Sequence, residues 1–313
     1  MKVHYGVENI EINRPVLTIG SFDGVHLGHL SVIEHLKEKA RQMGGESVII
    51  SFEPHPREVL YPMEKKPGIL TTLPEKISIL ERCGIDHLII LEFTRELSEL
   101  SYAEFVELIL IGRIGIKALV VGYDHRFGKD RTGNFENLQQ LSRKYHFLLE
   151  QEKVFVTEHV NVSSTKIRNA LAIGDIRQVN LFLGYPYSVT GEVIEGHRLG
   201  RKLGFPTANL QVDNERKLLP ANGVYVVRVK VGEEVYSGML NIGIRPTVSN
   251  DGRTSLEVHL FDFARDIYRQ VLTVDFVARL RGEQKFDGVD ELKEQLERDK
   301  KEAVRLLQEG HSR

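Results

Sequence analysis

The chain has 313 residues, enough for two domains of ordinary size, and its 41% hydrophobic and 27% charged content is that of a globular protein rather than a fibrous or disordered one. A net charge of -2 lacks the basic footprint of a nucleic-acid binder. A single cysteine, Cys83, excludes an internal disulfide and a multi-cysteine metal site, and fits a reducing cytoplasm. Met1–Glu11 lacks the apolar core of a secretion signal. The greasiest stretch, Phe105–Val121, is interrupted by Glu107, Arg113 and Lys117, so no membrane span is expected.

Val16–Ile19 reads as a buried strand running into Gly20. A glycine-rich turn to Gly28 follows, and from His29 on Leu30, Ile33 and Leu36 recur at helical spacing. Strand, glycine turn and helix start suit a phosphate: small residues admit it to the backbone, and the first turn offers unpaired N–H groups. His26 and His29 sit in that turn, and each imidazole can donate N–H hydrogen bonds to phosphate oxygens. Their spacing also suits metal ligands, but no cysteine cluster or acidic pair lies nearby in sequence.

The next segments alternate. Ser47–Phe52 predicts a strand, ended by Glu53-Pro54-His55-Pro56. Pro74–Cys83 predicts a helix with Ile77 and Leu80 inward, His87–Phe93 a strand, and Ser101–Gly112 a helix striped by Phe105, Leu108 and Ile109. Ala118–Gly122 predicts a further strand, followed by the polar loop Tyr123–Asn134; Phe147–Glu150 and Val154–Thr157 are additional strand candidates. Such alternation indicates an open parallel α/β sheet. Ligands in these sheets sit outside the strand carboxyl ends, so the Gly20, Pro54 and Tyr123 loops are expected to converge. Ser163-Ser164-Thr165-Lys166-Ile167-Arg168 then opens a helix, either as an ordinary cap or as a donor set for phosphate oxygens.

Around Leu183-Gly184-Tyr185-Pro186 the pattern changes to short alternating segments: Tyr187–Ile194, Gly223–Val231, Glu234–Ile242, Ser255–Phe261 and Leu272–Leu280. These predict a small barrel or sandwich. Val289–Gln308 closes the chain as a charged helix striped by Leu292, Leu296, Val304 and Leu307. Within the β-region, Gly196, Gly200 and Gly204 alternate with Arg198, Arg201 and Lys202. They suit either barrel corners or a loop over a polyphosphate. Thr207 and Asn209 lie two apart, on one face of an extended segment, where neutral oxygens can help hold Mg²⁺. Glu257 shares a face with His259. It is either solvent-facing or, in a barrel mouth, a base for a substrate hydroxyl.

Gly20-x-Phe22-Asp23-Gly24-x-His26-x-Gly28-His29, the Phe52–Pro56 turn, Ser163–Arg168 and Gly204-Phe205-Pro206-Thr207-Ala208-Asn209, in that order, resemble the bacterial bifunctional riboflavin kinase/FMN adenylyltransferases, also called FAD synthetases. The resemblance implies a Rossmann-like nucleotidylyltransferase domain over residues 1–183 and a β-barrel kinase domain with a C-terminal helix over 187–313. Riboflavin would be phosphorylated by Mg²⁺–ATP to FMN in the second. FMN would then attack the α-phosphorus of another ATP in the first, giving FAD and pyrophosphate. By motif match, Gly20, Phe22, Asp23, Gly24, Gly28, Asp124, Ser163, Ser164, Thr165 and Arg168 bind ATP or FMN around His26 and His29. Gly196, Gly200, Arg201, Lys202, Gly204 and Pro206 bind the kinase ATP, Thr207 and Asn209 the metal, Glu257 is the base, and Arg281 is the flavin-side arginine. The implied partners are small molecules, not nucleic acid or membrane. Two positions depart from the family: His125 where an aromatic is frequent, and Arg269 where glycine is common. A flavin-sensing binding module and a single-function adenylyltransferase are the competing readings.

Overall fold

The structure is a computed structural model, and it describes residues 1–61, 68–123, 126–153, 156–157, 160–195, 200, 204–244 and 254–309. By its internal contacts the chain divides into two units, Met1–Ser164 and Thr165–Arg313.

The first unit is built on a parallel six-stranded sheet of β1 (Lys2–Tyr5), β2 (Val16–Ile19), β3 (Ser47–Glu53), β4 (His87–Glu92), β5 (Ala118–Val121) and β6 (Leu148–Gln151). Their order is β1-β4-β3-β2-β5-β6. The order reverses at β2, which pairs with β3 on one side and β5 on the other. The loops after these three parallel neighbours therefore leave at the same end, as expected, and the Gly20 turn occupies the switch point where ligands of such sheets bind. On one face, Leu17, Ile19, Val48, Ile50, Ile89 and Leu119 pack against Phe105, Val106, Leu110, Leu138 and Leu141.

That packing differs from one predicted stripe. After α2 (Pro56–Leu60), α3 (Leu73–Arg82) and α4 (Arg95–Glu99), helix α5 (Tyr102–Phe105) passes into a π-helix over Val106–Ile114. Its wider i→i+5 winding turns Val106, Leu110 and Ile114 inward, and Leu108 is left 59% exposed. In α3 the buried residues are Lys76, Ile79 and Leu80 rather than Ile77 and Leu80. α6 (Phe135–Tyr145) and the short pair β7 (Val156–Thr157) and β8 (Val160–Asn161) complete the unit. Residues 154–155 of the strand expected at Val154–Thr157 lie outside the described residues.

The second unit is a closed antiparallel barrel, β10-β13-β12-β11-β14-β9. Its strands are β9 (Ser188–Ile194), β10 (Ala208–Gln211), β11 (Gly223–Val231), β12 (Glu234–Ile244), β13 (Thr254–Leu260) and β14 (Val271–Arg281). The terminal helix α9 (Val289–Glu309) lies against its outside: Ala303 and Leu307 pack with Phe205, Val224, Val226, Met239, Phe261 and Ala278. The buried line of α9 is Asp299, Ala303 and Leu307. Val304, placed on the apolar stripe by sequence, is instead 37% exposed, because the stripe turns around a buried carboxylate.

The helices α7 (Ser164–Ile173) and α8 (Ile176–Leu183) pack on this barrel, although the change in sequence character comes only at Gly184. Ala221 N–H donates to the Leu171 carbonyl (3.0 Å), Asn180 Nδ2 to the Phe276 carbonyl (2.8 Å) and Arg279 Nη1 to the Ile173 carbonyl (2.8 Å). Val179, Phe182 and Leu183 are buried. Sequence character changes where the helices stop; the contacts divide the chain where their apolar faces are spent.

Candidate functional sites

In the first unit, β2 ends at Gly20 and the chain turns sharply, with Phe22 (φ 46°), Gly24 (φ 84°) and Val25 (φ 32°) all left-handed. A β-branched residue is strained there, so the turn needs outside support, and Asp23 supplies it. Asp23 is 1% exposed. Its Oδ1 accepts from the backbone N–H groups of Leu70 (2.9 Å) and Thr71 (3.1 Å), while Thr71 Oγ1 accepts from Gly24 N–H (3.1 Å). Asp23 and the buried ring of Phe22, 5.0 Å from that of His29, thus shape the turn from beneath.

α1 (Leu27–Met43) starts immediately afterwards with His26 as its N-cap. His26 Nδ1 accepts from the backbone N–H of His29 at 3.3 Å, so the neutral ring carries its proton on Nε2. The two imidazoles are stacked, 3.7 Å between centroids and 14° between planes. A Cβ at Gly28 would lie 3.3 Å from the His26 ring, which makes glycine the residue that lets the ring fold back. His29 Nδ1 is buried with no hydrogen-bond partner. Burial first, then the charges of His26 and Lys76, hold His29 well below the usual histidine range. The result is a pair of stacked rings at a helix start, fitted to donate N–H groups to an anion. The positive end of the helix dipole acts with burial to disfavour an imidazolium at His29, which therefore meets the anion as a neutral donor.

Ser164, the last residue of this unit and first of α7, donates its hydroxyl to the Asp23 carbonyl at 3.0 Å. Ser163 is half-buried, Thr165 exposed and Arg168 half-buried. Asp124 and His125 lie outside the described residues.

In the second unit, Gly196, Arg198, Arg201 and Lys202 lie outside the described residues. Gly200 is forced by close approach: its carbonyl accepts from Phe205 N–H (2.9 Å), and a Cβ there would meet the Phe205 carbonyl oxygen at 2.2 Å. Gly204 takes φ +81°. Phe205 then plugs into the cluster beneath α9, and the exposed Pro206 accepts at its carbonyl from His259 Nδ1 (2.8 Å). This fixes the start of β10.

The register sets the chemistry. Asn209 stands directly opposite Glu257, and Glu257 directly opposite Asn241 on its other side. Side chains so opposed project to the same face with Cβ atoms about 5 Å apart. Because Met239, opposite His259, packs under α9, this row lies on the outer face of the barrel. Of the two sequence readings of Glu257, the outward-facing one matches this register: Leu256, Val258 and Leu260 point inward, and Glu257 and His259 outward. Asn241 was missed because one amide in an apolar strand carries no motif. Glu283 was missed too; a Cβ on Gly243 would meet its Oε1 at 2.6 Å and Asn241 Nδ2 at 3.4 Å. A pocket of about 460 Å³ is lined by Pro206, Thr207, Ala208, Val258, Leu260 and Tyr268 among others, on the inward side of β13 rather than along the row itself.

Arg281, at the end of β14, is held by Asp299 of α9: Nε lies 2.9 and 3.1 Å from the two carboxylate oxygens and Nη2 2.8 Å from one of them. Arg269 has φ 63°, so its loop keeps a backbone that favours glycine. Among the described residues no group of three or more His, Cys, Asp or Glu side chains could hold a metal by itself, and no helix is long and apolar enough to cross a membrane.

Two family models match the chain. The family model described as FAD synthetase matches residues 9–166, and that described as riboflavin kinase matches residues 183–307. A Haemophilus influenzae protein named bifunctional riboflavin kinase/FMN adenylyltransferase is 42% identical over 285 residues, 90% of this chain and 91% of that one. The Escherichia coli K12 protein of the same name is 40% identical over 304 residues, 96% of each chain. A solved Streptococcus pneumoniae structure, described as a macrolide-efflux protein, superposes with a TM-score of 0.87 at 30% identity over 96% of this chain and 97% of that one.

Proposed function

The chain belongs to the bifunctional riboflavin kinase/FMN adenylyltransferase family, and we propose that it converts riboflavin to FMN on the barrel and FMN to FAD at the Gly20–His29 turn. The observation that carries this reading is that each unit holds its own constellation, paired imidazoles at a helix start in one and the Asn209–Glu257–Asn241 row in the other. Residues 1–183 and 187–313 are the proposed functional domains, and the cytoplasm the proposed compartment.

In the kinase step, Glu257 takes the proton of the terminal ribityl hydroxyl as that oxygen attacks the γ-phosphorus of ATP, whose bond to the bridging oxygen breaks so that ADP leaves. Thr207 and Asn209 offer neutral oxygens, a donor chemistry that fits Mg²⁺ bound mainly through nucleotide phosphates; the ion would screen phosphate charge. Gly196, Gly200, Arg201, Lys202 and Gly204 are proposed to cover those phosphates, with Pro206 at the mouth of the pocket and Arg281 on the flavin side.

In the adenylyl step, a phosphate oxygen of FMN attacks the α-phosphorus of ATP and pyrophosphate leaves. Nε2–H groups of His26 and His29 and the N–H groups of the α1 start stabilise charge as the pentacoordinate state forms, with no covalent enzyme intermediate. Gly20, Phe22, Asp23, Gly24 and Gly28 give the turn its shape. Ser163, Ser164, Thr165 and Arg168 are proposed phosphate contacts, and Asp124 a contact to adenosine or the flavin phosphate.

Product analysis after incubation with riboflavin and Mg²⁺–ATP tests the whole. FMN should appear first and FAD after it, with riboflavin-dependent release of ADP. Flavin retained but unconverted would leave a binding module, and adenylylation of supplied FMN without ADP release would leave a single-function adenylyltransferase.

A further inference from the structure

We propose that Lys76 is a positioning residue for adenylyl transfer: its buried ammonium clamps the underside of the Gly20–His29 turn and bars a positive charge from His29. The proposal rests on the reading that His29 donates to the triphosphate.

Lys76 lies one turn into α3, just beyond the Leu70–Thr71 backbone that Asp23 grips. A capping box between Thr72 and Glu75 fixes that first turn. The side chain runs inward and is 3% exposed. Its Nζ donates to Ser51 Oγ at 3.3 Å, and Ser51 Oγ donates to the Ser21 carbonyl at 3.2 Å. An unbroken chain of hydrogen bonds thus runs from α3 through β3 into the turn.

A methionine would fill this space without the cost of burying an ammonium, which amounts to several kcal/mol for an ion left without compensation. Compensation is present: burial pushes Lys76 below the usual lysine range, while the charges of Asp23 on the turn and Glu53 at the end of β3 oppose that. The charges bearing on His29 are His26, from the same helix start, and Lys76, from α3, and both disfavour its imidazolium. The partial positive charge of the α1 N-terminus acts in the same sense. His29 Nδ1, buried and unpartnered, suits a neutral ring protonated on Nε2; an imidazolium would bury an unpaired N–H at that atom. Lys76 therefore adds to burial in disfavouring the His29 imidazolium while holding the turn that carries it.

The test is the pH profile of FAD formation from supplied FMN. In Lys76→Met, His29 should protonate at higher pH, so the acid limb of the profile should move to higher pH while the rate near pH 8 stays within about twofold of the parent. Lys76→Arg should restore the parental acid limb, and FMN formation from riboflavin should be unmoved in both variants. An acid limb in the same place for Lys76→Met, or a loss uniform across pH, would overturn the proposal. If Lys76→Met does not fold, Lys76→Gln takes its place with a histidine NMR titration beside the parent: His29 should titrate at higher pH in the variant, and an unmoved titration would sink the idea. His29→Ala separates the two claims. Unimpaired FAD formation there refutes the role of His29 itself, whereas its loss together with an unmoved Lys76→Met limb refutes only Lys76.

Discussion

His26 caps the helix that carries His29: its Nδ1 accepts the backbone N–H of His29 at 3.3 Å while the two rings stack at 3.7 Å. Stability and chemistry at this residue can therefore be separated by substitution. Asparagine preserves an N-cap acceptor, whereas alanine removes it at about 1 kcal/mol. His26→Asn should melt within a degree or two of the parent yet form FAD roughly 10²–10³-fold more slowly, with FMN production intact. His26→Ala should lose both stability and FAD formation. An active His26→Asn enzyme would assign the residue to capping alone.

Glu257→Gln keeps the size of the side chain in the row between Asn209 and Asn241 but removes the base. Riboflavin phosphorylation should fall about 10²–10⁴-fold, while supplied FMN is still adenylylated. A parental rate of phosphorylation would show that Glu257 is not the base.

The Arg281–Asp299 pair pins the end of β14 to α9. Asp299 is 4% exposed on its side chain and also accepts from Gln295 Nε2 (2.8 Å). Arg281→Ala leaves that carboxylate buried beside no cation, so denaturant unfolding should show a loss of about 3 kcal/mol. The paired change Arg281→Met with Asp299→Leu should recover most of the stability. If flavin binding stays weak in the repaired protein, Arg281 touches flavin. If it returns, the arginine serves the fold.

His35 of α1 bridges two carboxylates of the β6 edge, Glu150 through Nε2 (2.7 Å) and Glu152 through Nδ1 (2.5 Å). Burial alone would lower its pKa, but the hydrogen bonds and charges of Glu150 and Glu152 outweigh burial and raise it above 6.5. A raised folded value means the stabilisation is complete below about pH 6.5 and is lost as pH climbs through the folded value. Urea unfolding of the parent should weaken between about pH 6 and pH 8 more than that of His35→Gln. Equal slopes would show that the bridge contributes nothing measurable.

Arg269 holds a left-handed backbone at φ 63°, which costs a non-glycine residue about 1 kcal/mol. Arg269→Gly should raise the melting temperature of the barrel slightly, offset in part by the entropy that glycine adds to the unfolded chain. A clear loss would mean that the guanidinium itself supports the loop.

Much of the architecture was legible because periodicity is a local property. Gly223–Val231 alternates over its full length and forms β11 with the same bounds, and the strand–turn–helix at Val16–His29 is built from neighbours in sequence. The stripe through Leu108 failed because a π-helix changes the repeat that the reading assumed. The stripe through Val304 and the inward Ile77 failed for a different reason: at Asp299 and Lys76 a charged side chain occupies the interior, since a partner distant in sequence compensates it.

The Gly20–His29 turn and the Gly204–Asn209 segment could be singled out from the sequence alone as candidate sites, because their chemistry lies in residue types at short fixed spacing, and Glu257 through the family resemblance. Tertiary structure decided what those groups face. Strand register placed Glu257 between Asn209 and Asn241 on the outside of the barrel, and the sheet order brought the Gly20 turn to the switch point. Folding of α3 beneath that turn linked the Lys76 ammonium through Ser51 to the Ser21 carbonyl. The charge state of a buried group depends on neighbours brought close by folding across long loops, and no local pattern in the chain encodes that proximity.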